Sequence, residues 1–267
     1  MNAAIHTLCW YLHSLAMEKP CMPLLGDEGG WLTAEQTEEL VEAGAGLLYA
    51  SGLRPGTLAL LSAGRTVNTV LALLCLQRVG AAAVLADPRE TPEQTLGSCT
   101  PPLSVPFLVK AGGSLRRPAL LLTRTEDHTC LNLPLASSGG TPAPAADDPH
   151  APAFYIFTSG SSGQKKAVIL SQGNLVSNLL DSAPLGRYAE DDVALGALPL
   201  DHVFGLALLT GAIVLRHRLY LTAATAPEEL LQIISREKIT RMNGVPSLYL
   251  AMAKKARAGE ARTLRAG

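Results

Sequence analysis

The stretch Thr158-Ser159-Gly160-Ser161-Ser162-Gly163-Gln164-Lys165-Lys166 carries more chemistry per residue than any other part of the chain, and the fold is read outward from it. Ala153 to Phe157 before it is apolar and aromatic, as a buried strand requires, and Lys166 to Leu170 after it reads as a second strand. Between them lies a turn of small residues. Its glycines reach backbone angles that other residues avoid, its hydroxyls and open amides donate hydrogen bonds, and its lysines bring positive charge. That inventory suits an anion with many acceptor oxygens, a nucleoside triphosphate first among them. A solvated hairpin with surface lysines has the same local look, so the decision falls to the surrounding residues.

With 267 residues the chain can bury a large core as one domain or as two lobes. Hydrophobic residues at 48% against 17% charged exclude general disorder, and a net charge of -1 with no basic stripe argues against a nucleic-acid partner. Five cysteines, at positions 9, 21, 75, 99 and 130, form no CxxC pair and leave one over if paired, so a reduced, cytoplasmic protein is expected. The first residues lack a basic start and a small-residue cleavage site, so no signal peptide is read. The longest charge-free apolar run, Val203 to Leu215, is too short to span a bilayer, and no transmembrane segment is expected.

In chain order, residues 1–20 read as a helix with Leu8, Tyr11, Leu12 and Leu15 on one face. Thr33 to Gln36 is a capping box for a helix that ends at Gly52, and Gly44 and Gly46 inside it call for close packing. A strand at 57–61, a helix at 66–78 stopped by Gly80 and a strand at 81–86 form a βαβ unit, so a helix-covered sheet of mostly parallel strands is expected. Thr91-Pro92-Glu93-Gln94 opens another helix, and 105–109 and 119–123 are strand candidates. Residues 134–152, rich in proline and alanine, read as a linker between a first α/β lobe over 1–133 and a second over 153–267. The second lobe continues with a helix capped by Ser171, a strand at 193–198, the turn Pro199-Leu200-Asp201-His202 and a very apolar helix from Val203. A strand at 219–221, a helix from Pro227, a strand at 239–242 and a helix from Pro246 complete it.

Three stretches now carry a resemblance: Phe154 to Val168, which contains TSGSSGQKKAV; Ser171-Gln172-Gly173-Asn174-Leu175; and Leu198-Pro199-Leu200-Asp201-His202-Val203-Phe204-Gly205. In order and spacing they are similar to the adenylate-forming ligases, which include acyl-CoA synthetases, luciferases and the adenylation domains of peptide synthetases. Fainter likeness extends upstream through Leu53 to Gly56 and Ala86 to Arg89. The resemblance implies the front part of that family's large N-terminal domain. It also implies a two-step reaction: a carboxylic acid attacks the α-phosphate of Mg-ATP to give an acyl-adenylate, and the thiol of coenzyme A or of a carrier pantetheine then takes the acyl group.

On this resemblance Thr158, Ser159, Gly160, Ser161, Ser162, Gly163, Lys165 and Lys166 hold the β- and γ-phosphates, Lys166 is the motif lysine that acts on the leaving pyrophosphate, and His202 shapes the acyl pocket. Lys165 stands where the family usually has proline, Ala167 where it has glycine and Gln172 where histidine is common. The family's Gly-Tyr-Gly-x-Thr-Glu stretch, its ribose-binding aspartate and its C-terminal catalytic lysine are not found, and with them goes the carboxylate for magnesium. The second lobe is therefore read as truncated at its C-terminal edge. The chain alone is expected to be nearly inactive and to call for a separate C-terminal chain. The alternative is a non-catalytic module derived from such a ligase, which binds a nucleotide or a partner. A serine hydrolase is less well supported, since no G-x-S-x-G elbow is present, and no G-x4-G-K-[ST] supports a Walker-type nucleotidase. His6, His13, His128, His150 and His217 share no metal-ligand spacing.

Overall fold

Hydroxyl side chains set where many of the helices begin. In the computed structural model, which describes residues 5–99, 103–115, 117–135, 147–159, 165–256, 261 and 263–265, Thr7 accepts a hydrogen bond from the Trp10 amide and starts α1 (Leu8–Glu18). A hairpin of β1 (Pro23–Asp27) and β2 (Gly30–Thr33) leads into α2 (Ala34–Ala50), where Thr33 and Gln36 exchange the two bonds of a capping box. Next come β3 (Leu58–Ser62), α3 (Val67–Val79) and β4 (Ala82–Ala86). The short α4 (Pro92–Gly97) has its own capping box from Thr91 and Gln94. Three strands follow: β5 (Phe107–Ser114), β6 (Arg117–Arg124) and β7 (Cys130–Pro134). Beyond the span 136–146, which is not described, lie β8 (Pro152–Ser159), β9 (Lys165–Ser171) and α5 (Gln172–Gly186). The last elements are β10 (Val193–Gly196), α6 (Val203–Val214), β11 (Arg218–Leu221), α7 (Pro227–Arg236), β12 (Arg241–Met242) and α8 (Pro246–Lys255).

The strands form two sheets, one of seven in the order β7-β6-β5-β3-β4-β8-β9 and one of five in the order β12-β10-β11-β1-β2. Parallel pairing runs through β5-β3-β4-β8 and through β12-β10-β11-β1, while the outer hairpins are antiparallel. The helix-covered, mostly parallel α/β architecture expected from the sequence is present. The division into lobes over 1–133 and 153–267 is corrected: β1 pairs with β11 and β4 pairs with β8, so each sheet is woven from both spans. The physical reason lies in the parallel pairings, which take up strands distant along the chain because a parallel neighbour cannot be reached by a tight turn.

Two hairpin elements carry little sequence signal. Gly26, Gly29 and Gly30 interrupt the apolar pattern of β1 and β2, and β7 is a short alternating strand. The main core fills the space between the sheets, with Val70, Leu71, Leu74 and Cys75 of α3 wholly buried. A smaller cluster of Leu60, Val84, Ala86 and Val105 lies on the other face of the seven-stranded sheet, against Leu96, Tyr155 and Phe157. Gly44 explains itself: a Cβ there would lie 2.4 Å from Cys75 Sγ, so α2 and α3 touch where α2 lacks a side chain. At the start of β10 the buried Asp192 accepts hydrogen bonds from Ala189 N (2.9 Å), Thr240 Oγ1 (2.7 Å) and the Arg241 and Arg265 guanidinia. Among the described residues no helix is long and apolar enough to cross a membrane.

Candidate functional site

The loops that follow β3, β4, β10 and β11 converge at the carboxyl ends of the parallel strands, the usual place for a ligand in an α/β sheet. Arg65, just after β3, fastens them together. Its guanidinium donates to the carbonyls of Ala197 (2.6 Å) after β10 and Ala223 (2.8 Å) after β11, so the two sheets open towards the same side. Burial pulls the Arg65 pKa down, while the Asp201 carboxylate opposes that shift. A cleft of about 660 Å³ beside it is lined by Asp27, Arg65, Asn68, Thr222 and Glu229 among others.

The hairpin of β8 and β9 brackets the stretch expected to hold phosphates. Thr158 pairs with Lys166 and Ser159 with Lys165 across the ladder. Gly160, Ser161, Ser162 and Gly163 lie outside the described residues, as does the side chain of Ser159. The two lysines, adjacent on one strand, point to opposite faces. Lys166 and Thr158 share the face of Phe154 and Ile156, which pack into the core between the sheets; both are exposed at the strand ends, and Thr158 Oγ1 donates to the Lys166 carbonyl at 3.5 Å. Lys165 shares the face of Phe157, whose ring centroid is 5.8 Å from its ammonium. There Lys165 Nζ is 2.5 Å from each carboxylate oxygen of Glu90, in the segment between β4 and α4.

Of that segment the sequence marks Ala86 to Arg89 only by a fainter likeness and Thr91 to Gln94 only as a helix start, and gives Glu90 no role. Asp87, at its start, forms a bidentate pair with Arg89, which holds the Asp87 carboxyl below the usual range. Glu90 meets Lys165, and Thr91 caps α4. One segment thus meets the start of β9 through Glu90, and its Asp87 and Arg89 lie near enough to Asp201 for their charges to act on it. The available signal was Asp87-Pro88-Arg89-Glu90, charged residues directly after a wholly apolar strand, where strand-end loops carry ligands.

The turn from Pro199 to His202 follows β10. His202 is the N-cap of α6, with no capping bond from its ring, and it lies exposed, stacked on Phe204 at 5.8 Å and 5°. Its carbonyl accepts from Gly205 N (3.0 Å) and Leu206 N (3.2 Å). Gly205 is required by contact: a Cβ would sit 2.0 Å from the Pro199 carbonyl oxygen. Asp201 turns one carboxylate oxygen, Oδ1, into the protein, where it has no hydrogen-bond partner among the described residues. Burial, and then the charge of Asp87, push its carboxyl above the ordinary value, against a backbone hydrogen bond and the neighbouring His202. Gln172 is engaged elsewhere, its Oε1 accepting from the Leu8 amide at 2.6 Å.

Among the described residues, Thr158 and Lys166 are the exposed donors at the root of this hairpin. Among the described residues no group of three His, Cys, Asp or Glu side chains is placed to hold a metal, and Asp87 and Glu90 are already paired with cations. These residues therefore do not themselves fit a magnesium site.

Comparison with known proteins agrees with this geometry. 4-Coumarate–CoA ligase 3 of Arabidopsis thaliana is 26% identical over 275 residues, covering 94% of this chain and 47% of its own length. Enterobactin synthase component F of Escherichia coli O157:H7 is 32% identical over 177 residues, covering 65% of this chain and 13% of its own. The chain thus spans less than half the length of these relatives. Among solved structures, O-succinylbenzoate coenzyme A synthetase from Bacillus subtilis in complex with AMP superposes with a TM-score of 0.79 at 20% identity, over 96% of this chain and 65% of that one, which shows a shared fold. The model of the AMP-binding enzyme family matches residues 14–266. With the strand-end loops, the β8–β9 hairpin and the His202 turn all inside that match, the chain belongs to the AMP-binding enzyme family.

Proposed function

We propose that this chain supplies the phosphate side of an ATP-dependent ligase that activates a carboxylic acid as an acyl-adenylate and passes the acyl group to a thiol of coenzyme A or a carrier pantetheine. The observation that carries the reading is the placement of Lys166 and Thr158 on the inner face of the β8–β9 hairpin, at the strand ends where the His202 turn also lies. In the first step a carboxylate oxygen bonds to the α-phosphorus as the bond to the bridging oxygen of the β-phosphate breaks, and pyrophosphate leaves with that electron pair. The Lys166 ammonium and the loop's donors stabilise the charge that develops on the leaving group. In the second step the thiolate attacks the acyl carbonyl and AMP departs. Magnesium, when bound with the nucleotide, neutralises phosphate charge. His202 and Phe204 form an exposed aromatic pair suited to line the entry of an apolar acyl group.

These 267 residues are proposed to bind nucleotide phosphates while forming little acyl-adenylate by themselves, because the Gly-Tyr-Gly-x-Thr-Glu stretch is not among them. Titration of the chain with Mg-ATP, and with a Lys166→Met variant, tests the reading. A charge-assisted contact of about 2 kcal/mol corresponds to roughly thirtyfold weaker binding in the variant. Equal affinity in the two proteins would remove Lys166 from the site.

A second reading is an association module that docks a separate polypeptide carrying the remaining catalytic groups. It is favoured by the exposed Val245, Tyr249 and Leu250 on and beside α8. Copurification of such a polypeptide, and its loss on Leu250→Glu, is the test. Retention by the variant would count against α8 as the docking face.

A further inference from the structure

We propose that Lys165 and Glu90 form a latch that fixes the root of the phosphate loop, so that Lys165 is a positioning residue and not a ligand of the nucleotide. The proposal rests on reading the loop as a nucleotide site. Three contacts tie the first residue of β9 to the residues on either side of α4. The Lys165 ammonium is shared by both Glu90 oxygens at 2.5 Å. The Lys165 amide donates to the Ser98 carbonyl at 2.9 Å, which makes residue 99 a short parallel neighbour of this edge strand. Glu90 is itself oriented, because its Oε2 also accepts from Thr95 Oγ1 at 3.0 Å.

The pair is well sheltered. The side chains of Lys165 and Glu90 are 27% and 29% exposed, and the Phe157 ring lies beside the ammonium. An ammonium held by both oxygens of one carboxylate has little charge to offer a phosphate, and strand alternation aims it at α4, away from the face of Lys166. The two lysines thus divide the work: Lys166 faces the inter-sheet side and makes no ion pair among the described residues, while Lys165 anchors the loop root to the segment which also carries Asp87 and Arg89. The proline that the family usually has here would restrain the backbone through its ring. In this chain an ion pair to a neighbouring element supplies the restraint.

The test uses the full 267-residue chain with Glu90→Gln, Lys165→Met, the double variant with both changes, and the exchanged pair Glu90→Lys with Lys165→Glu. Two quantities are read: hydrogen exchange of the β9 amides, and the dissociation constant for Mg-ATP. Each single change is expected to speed exchange at the start of β9 by about fivefold and to weaken Mg-ATP by a similar factor, the upper range for a pair of this exposure. The double variant should be no worse than either single one, and the exchanged pair should recover both readings. A Lys165→Met loss of affinity accompanied by equal or tighter binding in Glu90→Gln overturns the proposal, because Lys165 is then a phosphate ligand for which Glu90 competes. Unchanged β9 exchange in both single variants overturns it as well. If the parent chain binds no Mg-ATP while exchange follows the expected pattern, the latch is supported and the nucleotide reading fails instead.

Discussion

Replacing Gly205 by alanine is expected to destabilise the protein, although alanine is the better helix former by about 1 kcal/mol. The new Cβ would lie 2.0 Å from the Pro199 carbonyl oxygen, 2.6 Å from its carbonyl carbon and 3.0 Å from Leu200 Cα. Since a close carbon–oxygen contact is about 3.3 Å, backbone on one side must retreat by roughly 1.3 Å. Neither side yields easily. Pro199 is locked in φ by its ring, and the start of α6 is tied to the turn by the bonds from Gly205 N and Leu206 N to the His202 carbonyl. Overpacking costs about 1–3 kcal/mol, and a backbone shift of this size belongs at the upper end, so about 2 kcal/mol remains after the helix gain. Thermal unfolding followed by circular dichroism should show a midpoint about 4–8 °C lower. Gly97→Ala in α4, where a Cβ meets nothing within 4 Å, serves as the control and should melt at or slightly above the parent. A Gly205→Ala protein that melts with the parent would refute the contact on which the geometry of the His202 turn rests.

Other expectations can be checked in parallel. Asp192→Ala should cost about 3 kcal/mol in urea unfolding at pH 7, because it strips the carboxylate partner from the largely buried Arg241 guanidinium. Burial acts to raise the Asp192 carboxyl, but the bonds from Arg241, Ala189 and Thr240 outweigh it and hold the pKa low. Its contribution is therefore complete above about pH 4, the unfolded value, and is lost as pH falls through the lower folded one, so parent and variant should converge in acid. Asp201 has the opposite sign: its raised pKa makes ionisation unfavourable to the fold, so Asp201→Asn should raise the melting temperature at pH 7 and lose that advantage in acid. Gln172→Ala leaves the buried Leu8 amide without its acceptor and should cost about 1–2 kcal/mol in urea unfolding. Of the cysteines, the exposed Cys21 and Cys130 should be alkylated in the native protein, whereas Cys75, whose thiol burial pushes up, should react only on unfolding, as mass spectrometry can count.

What could be read from the sequence was what is local along the chain. Thr33 with Gln36, and Thr91 with Gln94, announce their helices because both partners of a capping box lie within four residues. The βαβ unit from β3 to β4 was legible for the same reason, as was the pair of strands around the loop. The hairpin of β1 and β2 was not, since its glycines and Trp31 are decided by packing: the Trp31 ring lies over Gly26, where a Cβ would come within 2.5 Å of it. The lobe boundary failed because strand pairing is not encoded in adjacent residues. In the site, the opposite facing of Lys165 and Lys166 was legible from alternation alone, as neighbours on a strand face opposite ways. Glu90 and Arg65 had no such local mark. Their partners, Lys165 in one case and the carbonyls of Ala197 and Ala223 in the other, are close only once the sheets exist.

The weave of the five-stranded sheet also imposes a timetable on synthesis. Leu25 of β1 pairs with Leu219 of β11, 194 residues later (219 − 25). At about 5–20 residues per second, the first strand leaves the ribosome roughly 10–40 s before its partner exists. Throughout that interval β1 can pair only with β2, while its other edge, backed by the apolar Leu24 and Leu25, stays open to any strand that passes. The nascent chain thus has to be kept from wrong partners throughout that interval, and cellular yield should depend on chaperone supply and translation speed as well as on the finished protein's stability.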